Sequence, residues 1–426
     1  MKSYYMNNEL KGKRLLVLGG SMWSNTIQDF AVRNGITLIS AGLYPAGTDK
    51  IAKEVYRIDT TQPSLMIPFI KEHQIDGVYM GGSEMIITAA CQYINELQLP
   101  CYCTKEQWDF LQEKDKFKSL CMRFDLPCVP RYDLDSMDIE YPVITKPTDG
   151  CGSNGFSVCR NAAELRIGYK IAAEASPTGR VLIEKFVKND SVVVFYTFSN
   201  GRMYFSGLEN KFPVKYEGHE SYVAGLHLFE SRFAQEFRNR FDDKLEKLFS
   251  SLGIKEGSLW IEVFHDGDNY YFNEVGFRYS GSVSIFPVDY FYGFNQVASD
   301  IYYALTGISE IHGHPTIIED KVPRKKHYAI FNAHMLPGTI ASIEGVDKIR
   351  EIPECVFIAD TKHVGDSVKA TGTVAQVFAF IHFVFDTMEE CKQMIDKIYS
   401  VIHIKDVNGK ELMCNMIDWT SREINL

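Results

Sequence analysis

The sequence predicts a multidomain protein of α/β and α+β class, with an N-terminal doubly wound α/β domain, a middle unit of antiparallel hairpins and a C-terminal α+β domain. Three observations predict it. A length of 426 residues suggests roughly three domains of about 150 residues each. Strand and helix patterns alternate up to residue 110, whereas strand patterns come in pairs from 111 to 310. A third mixture follows, so we expect domains at 1–110, 111–310 and 311–426.

The first domain is predicted from short apolar runs that alternate with helical patterns. Residues 14–18 are apolar after the first position and end in Gly19 and Gly20, which is typical of a buried parallel strand turning into a helix. Further strands are expected at Thr37–Ser40, Val55–Ile58, Gly77–Met80 and Pro100–Cys103. This order predicts a small parallel sheet covered by helices on both faces.

The middle unit is predicted from paired strands separated by turn residues, which indicate antiparallel hairpins. The pairs are 143–146 with 156–159, 181–186 with 192–198, and 259–264 with 270–275. Between them, Phe237, Phe241 and Leu245 recur at helical spacing and predict a core-facing helix that stops at Gly253. The tail from 311 mixes strands with a helix near 388–400.

Composition excludes several classes of protein. The formal net charge of −10 argues against a nucleic-acid partner, which requires a basic face. No apolar stretch is long enough to cross a membrane, and the first ten residues lack a signal-like run, so we expect a cytoplasmic protein without a membrane partner. The ten cysteines then favour free thiols over zinc, including at Cys101-x-Cys103.

The most informative segment is the hairpin around Asp266-Gly267-Asp268-Asn269. Glu262 and Glu274 lie six positions either side of Asp268 and are therefore expected directly opposite each other, about 5 Å apart at Cβ. Two facing carboxylates repel unless a cation separates them, and oxygen ligands favour Mg²⁺ or Mn²⁺. The alternative is an exposed face that tolerates the charges. Four large side chains are expected to share that face and favour the metal: Trp260, Phe264, Tyr270 and Phe272.

Two other segments carry candidate phosphate ligands. Arg278 shares a strand face with Glu274 and Gly276, which suits a phosphate or a developing oxyanion, although a salt bridge to one of the glutamates is the alternative. Lys146 ends a strand before the glycine-rich run 150–155, whose backbone amides could approach an anion. A loose hairpin loop explains that run equally well.

The order of these elements resembles the ATP-grasp superfamily over about residues 13–340, which implies a two-lobed ATP-grasp unit that binds ATP with Mg²⁺ or Mn²⁺. By this resemblance Lys116 and Lys146 are the two phosphate-binding lysines, and Arg278 lies near the transferred phosphoryl group as a catalytic residue together with Lys146. Glu262 and Glu274 are the metal ligands. The flexible loop over the phosphates contains Gly150, Gly152, Ser153 and Gly155. The implied adenine hinge is Glu184, Lys185, Phe186 and Val187, and Asp190 is the implied ribose contact.

The resemblance has one marked departure. The family motif Glu-x-Asn-x-Arg is here Glu274-Val275-Gly276-Phe277-Arg278, without the metal-binding asparagine. In a regular strand Asn273 would point to the face opposite Glu274, so we expect that it cannot substitute and that water fills the gap. Gly276→Asn is then expected to tighten magnesium dependence, unless Gly276 instead makes room for substrate.

The resemblance is strongest to the branch of L-amino-acid ligases and carbamoyl-phosphate-synthase-like proteins, on Arg278-Tyr279-Ser280-Gly281 and on 334–340. It implies a ligase that activates a small-molecule carboxylate as an acyl phosphate for attack by an amine, releasing ADP and phosphate. The alternatives are a purine-pathway enzyme acting on a ribonucleotide and a non-catalytic ATP-binding scaffold. Substrates are expected to contact residues 205–230, Ser280–Ile285 and the C-terminal domain. The sequence leaves the oligomeric state open, a homodimer included.

Overall fold

The computed structural model describes residues 9–148, 155–187, 190–219, 222–310, 313–318, 321–417 and 419. Within these ranges no helix is long and apolar enough to cross a membrane.

The N-terminal part is a parallel sheet in the order β3-β2-β1-β4. Its strands are β1 (Arg14–Leu18), β2 (Thr37–Ala41), β3 (Glu54–Tyr56) and β4 (Gly77–Tyr79). The helices are α1 (Ser24–Asn34), α2 (Pro63–Glu72), α3 (Glu84–Glu96), α4 (Lys105–Gln112) and α5 (Lys114–Arg123). Leu15 packs with α1 on one face of β1 and Leu16 packs with α2 and α3 on the other, as a doubly wound sheet requires.

Residues 100–103 do not form the strand that the sequence predicts. They run as an irregular segment beside β4. A helix of the middle unit packs directly on this strand, since a Cβ on Gly77 would lie 2.3 Å from the carbonyl oxygen of Ala304. The prediction of a strand at 100–103 is therefore wrong. Without strand pairing, Cys101 and Cys103 lie close to Cys91 on α3.

A small antiparallel sheet follows, in the order β6-β5-β7. It consists of β5 (Val143–Pro147), β6 (Ser157–Cys159) and β7 (Val181–Lys185), with α6 (Ala162–Ala175) packed against it. Asn161 begins α6 by accepting hydrogen bonds from the backbone N–H groups of Ala163 and Glu164.

The large antiparallel sheet has the order β12-β11-β8-β9-β10-β13-β18-β16. Its first part comprises β8 (Asp190–Ser199), β9 (Arg202–Lys215), β10 (Tyr222–Phe229), α7 (Ala234–Ser251), β11 (Gly257–His265), β12 (Tyr270–Gly276), α8 (Ile285–Tyr292) and α9 (Gln296–Thr306). The predicted hairpin between 181–186 and 192–198 is wrong: β7 pairs with β5, whereas β8 pairs with β9 and β11. The chain crosses from the small sheet to the large one between them.

The C-terminal part extends the same large sheet. Its elements are β13 (His327–His334), β14 (Gly338–Thr339), β15 (Ser342–Glu344), α10 (Val346–Arg350), β16 (Cys355–Asp360), β17 (Ser367–Val368), β18 (Val377–Phe385), α11 (Met388–Val401) and β19 (His403–Lys405). Strand β13 pairs with β10 through Leu226 and Phe331, so hydrogen bonding continues across residue 310. The predicted helix near 388–400 is α11.

Candidate active site

The site is built first on the β11–β12 hairpin. Glu262 pairs with Glu274 across the two strands, as the turn position predicts. The register then shifts, so that Val263 pairs with Phe272 and Asn273 is the extra residue of a bulge. Tyr270 and Phe272 consequently belong to the hydrophobic core beneath the sheet, together with Val263. The prediction that they share the face of Glu262 is wrong because the bulge reverses the alternation.

The same bulge changes the role of Asn273. Its Nδ2 donates a hydrogen bond of 2.8 Å to Oε2 of Glu262, so its side chain lies on the face of that carboxylate. The residue is 6% exposed, and its Oδ1 is buried without a hydrogen-bond partner. The expectation that Asn273 points away is therefore wrong. An unpaired amide oxygen beside a glutamate is a suitable third oxygen ligand for Mg²⁺.

Lysines occupy the other sides of the two carboxylates. Lys211 on β9 lies 2.6 Å from Oε1 of Glu262, and Lys114 lies 2.8 Å from Oε2 of Glu274. Burial raises the pKa of Glu262, but the charge of Lys211 and hydrogen bonds from Lys211 and Asn273 outweigh it and lower the pKa to about 2. Glu262 is thus ionised at neutral pH, as a metal ligand must be.

The phase of α5 decides which lysine faces the site. Lys114 and Lys118 are four positions apart and so share a helix face. Lys114 contacts Glu274, and Lys118 forms a buried ion pair with Glu184. Lys116 points elsewhere: its ammonium lies 2.6 Å from Glu113 and its side chain is 48% exposed. The structure does not bring Lys116 to the carboxylates, and the place expected for it is taken by Lys114, the first residue of the helix.

Lys114 and Lys118 were missed because the sequence shows three lysines at alternate positions without indicating where the helix begins. The i, i+4 pair of lysines was the available signal.

Glu184 on β7 is the centre of a second, buried cluster. Lys146 on β5 lies 2.7 Å from its Oε2, Arg131 lies 3.3 Å from its Oε1, and Lys118 contacts the same carboxylate. Burial raises the pKa of Glu184, and the charges of Lys146 and Lys118 outweigh it and lower the pKa to about 2. Burial, together with the charges of Lys146 and Arg131, lowers the pKa of Lys118 despite the carboxylate beside it. The cluster thus brings together two predicted nucleotide-binding residues from separate strands, Lys146 of β5 and Glu184 of β7.

The remaining hinge residues have different surroundings. Lys185 forms an exposed ion pair of 2.7 Å with Glu140 on the outer side of the sheet. Phe186 and Val187 are half-buried where the chain leaves the small sheet. Backbone pairing joins Asp190 to His265 at the start of β8. The side chain of Asp190 lies outside the described residues.

The glycine-rich loop is described only at its end. Gly150, Gly152 and Ser153 lie outside the described residues. Gly155 has a φ of +75°, and a Cβ there would approach Ala175 to 2.6 Å. Glycine is needed at 155 for both its backbone conformation and the close contact with α6.

Arg278 lies beyond the hairpin, against an indole and an acid from the N-terminal part. Its guanidinium stacks over Trp260 at 5.5 Å and forms an ion pair of 2.6 Å with Glu84 at the start of α3. Within the described part of the chain, it forms an ion pair with neither Glu262 nor Glu274. Gly276 accommodates the same indole, because a Cβ there would lie 2.4 Å from the Trp260 ring. The glycine at 276 therefore makes room for the Trp260 indole.

An open cavity of about 510 Å³ borders the Glu184 cluster through Arg131. Thr148 and Ile183 also line it, but Glu262 and Glu274 do not. The lysines and glutamates, rather than this cavity, mark the site.

Comparison with known proteins gives a consistent result. Residues 113–194 match the family of the carbamoyl-phosphate synthase L chain ATP-binding domain. The L-amino acid ligase from Bacillus licheniformis has a similar structure, with a TM-score of 0.72 and 17% identity over 93% of this chain and 99% of that chain. The phosphoribosylglycinamide synthetase from Anaerococcus prevotii has a TM-score of 0.70 and 16% identity over 92% and 99%.

A third similar structure is the biotin carboxylase domain of the Hydrogenobacter thermophilus 2-oxoglutarate carboxylase. This domain dimer was determined with MgADP, ADP and bicarbonate. Its TM-score is 0.71 at 16% identity, over 94% of this chain and 91% of that chain. At these identities the likenesses establish the fold.

Proposed function

Because the chain has the ATP-grasp fold, we propose that it is an ADP-forming ligase that uses Mg-ATP to activate a carboxylate for attack by an amine. The three-part division at 1–110, 111–310 and 311–426 belongs to this proposal, with the nucleotide between the small sheet and the large one. Cytoplasmic location is proposed with it, since a reducing compartment keeps free thiols of the kind found here.

One observation carries the proposal. Four lysines, Lys114, Lys118, Lys146 and Lys211, surround the three glutamates Glu184, Glu262 and Glu274. A local excess of positive charge in a chain of net charge −10 indicates an anionic ligand at this place. When a polyphosphate binds, its oxygens would take the place of the carboxylates as partners of the lysines. Glu262 and Glu274 would then be available to bind a metal ion.

The residues present fit a magnesium ion. Glu262 and Glu274 oppose each other, and the unpaired Oδ1 of Asn273 lies on the same face. We assign all three as Mg²⁺ ligands, with Mn²⁺ as a substitute. When bound, the ion would neutralise charge on the transferred phosphoryl group.

The reaction has two steps. In the first, a substrate carboxylate oxygen attacks the γ-phosphorus, the bond to the β-phosphate oxygen breaks, and ADP leaves. In the second, an amine attacks the acyl carbon, the carbon–oxygen bond breaks, phosphate leaves, and the amine loses a proton. Lys114 and Lys146 hold phosphate oxygens in line, and Arg278 on its Trp260 support stabilises the developing charge as the catalytic cation.

The substrate end is proposed beyond Lys211 on β9 and β10. His227 pairs with Lys211 in register and its Nδ1 lies 2.8 Å from Oε1 of Glu209. His382 of β18 is fully buried nearby. Burial, then the neighbouring His227, lowers its pKa to about 3. Both histidines are buried, so neither offers an exposed charge to a second phosphate, which favours a carboxylate and an amine over a ribonucleotide.

The test is a substrate screen that measures ADP formation with pooled carboxylates and amines and with hydroxylamine present. An acyl phosphate gives a hydroxamate, so carboxylate-dependent ADP with equimolar hydroxamate is expected. Ribonucleotide-dependent ADP without hydroxamate would favour the purine-pathway alternative. ATP binding without turnover in any pool would leave the scaffold alternative.

A further inference from the structure

Three cysteines outside the proposed active site converge in space. Cys91 on α3 and Cys101 and Cys103 of the irregular segment have sulfur atoms that all lie within 4.8 Å of one another. The Cys91 and Cys103 sulfurs are 3.1 Å apart. Among the described residues, this is the one group of three or more His, Cys, Asp or Glu side chains whose potential ligand atoms lie this close together. We propose that these cysteines bind one thiophilic d¹⁰ cation, Zn²⁺ or Cu⁺, as a structural site.

The spacing fits such an ion. Zinc–sulfur bonds of about 2.3 Å place thiolates about 3.8 Å apart around a tetrahedral centre. The Cys91 and Cys103 sulfurs, at 3.1 Å, would have to separate by about 0.7 Å, and the other two pairs lie at most 4.8 Å apart. The absence of carboxylate and imidazole ligands from this group selects soft cations over Mg²⁺.

Local hydrogen bonds hold the segment that carries Cys101 and Cys103. Cys103 precedes Thr104, the N-cap of α4, whose hydroxyl accepts from the backbone N–H of Gln107. Asn95 holds the segment in place by donating to the Cys103 carbonyl oxygen at 3.3 Å.

A fourth position is also available. Cys101 borders a cavity of about 20 Å³, together with Asp300 and Tyr303. That volume holds about one water molecule, which would supply the fourth ligand beside the three sulfurs. Cu⁺ would need no fourth ligand.

The site would tie the N-terminal part to the strand that precedes Arg278. Tyr102, between the two cysteines of the segment, donates from its hydroxyl to the carbonyl oxygen of Phe277 at 3.1 Å. Its ring stacks edge-on with that of Phe277 at 5.3 Å. A metal that fixes residues 101–103 therefore also restrains Phe277, next to Arg278.

The test uses the reduced full-length chain, freed of metal and then titrated with Zn²⁺ or Cu⁺ against a chromophoric chelator, without ATP. Cd²⁺ reports thiolate coordination by its charge-transfer absorption. We expect one equivalent of Zn²⁺ or Cu⁺ and a higher melting temperature when it is bound. Cys101 is half-buried. Cys101→Ser removes one of the three sulfur ligands and should weaken binding by about 100-fold.

Cys355→Ser, another half-buried cysteine, is the matched control and should bind as the parent does. Glu262→Gln should also bind normally, which separates this site from the proposed magnesium site. Binding that is absent in the parent, or equal in the parent and Cys101→Ser, would overturn the proposal whatever the result of the ligase assay.

Discussion

Asn273 donates its side-chain amide to Glu262 across the β11–β12 hairpin, at 2.8 Å, although it directly precedes Glu274 in the chain. The bulge at Asn273 makes this possible by turning the residue onto the carboxylate face. The hairpin therefore presents Glu, Glu and Asn on one side without an asparagine at position 276.

Asn273→Ala should weaken the magnesium dependence of ATP binding. The variant removes the proposed third oxygen ligand and a hydrogen bond to a charged group, which is worth about 1.5–3 kcal/mol. We expect more free Mg²⁺ to be needed for half of the ATP-induced rise in melting temperature. Asn239→Ala on the exposed side of α7 is the control. Equal Mg²⁺ requirements in the two variants would exclude Asn273 as a ligand.

Gly276→Asn should destabilise the protein rather than tighten Mg²⁺ binding. Any Cβ at position 276 meets the Trp260 indole at 2.4 Å, and overpacking of this kind costs about 1–3 kcal/mol. Denaturant unfolding measures it. Gly281→Ala, where a Cβ meets nothing within 4 Å, should be close to neutral. A Gly276→Asn variant of parental stability would mean that the indole moves freely.

Stability should fall in acid through Glu262. Its folded pKa of about 2 is below the unfolded value of about 4.3, so its contribution is present above the unfolded value and is lost as pH falls through the folded one. The whole contribution is about 3 kcal/mol, and most of it is lost between pH 4.5 and 2. Urea unfolding of Glu262→Gln should lack this part of the pH dependence, and the exposed Glu113→Gln should retain it. Identical pH profiles would contradict the ion pair with Lys211.

The sequence was sufficient for the hairpin register and insufficient for its bulge. A turn centred near Asp268 predicts that Glu262 faces Glu274, because antiparallel pairing is symmetrical about the turn. The bulge at Asn273 has no such signature, since an extra residue changes side-chain direction without changing composition.

Long-range contacts explain the other differences. The crossing from β7 to β8 resembles a hairpin in the local sequence. The two strands do not pair, because each finds its partners elsewhere in the chain. The choice of Lys114 over Lys116 depends on where α5 begins, and helix ends are poorly marked by alternating lysines. Likewise Cys91 joins Cys101 and Cys103 only through the packing of α3.

The most direct test of the account is calorimetric titration of Mg-ATP into the parent protein, Lys114→Ala and Lys116→Ala. The two lysines are on one helix and differ in direction: Lys114 faces Glu274, and Lys116 pairs with Glu113. We expect binding by the parent, an affinity within about twofold for Lys116→Ala, and at least about a tenfold loss for Lys114→Ala, since a charge-assisted contact is worth about 1.5–3 kcal/mol. No binding by the parent at millimolar Mg-ATP, or loss in Lys116→Ala with retention in Lys114→Ala, would contradict the proposed nucleotide site.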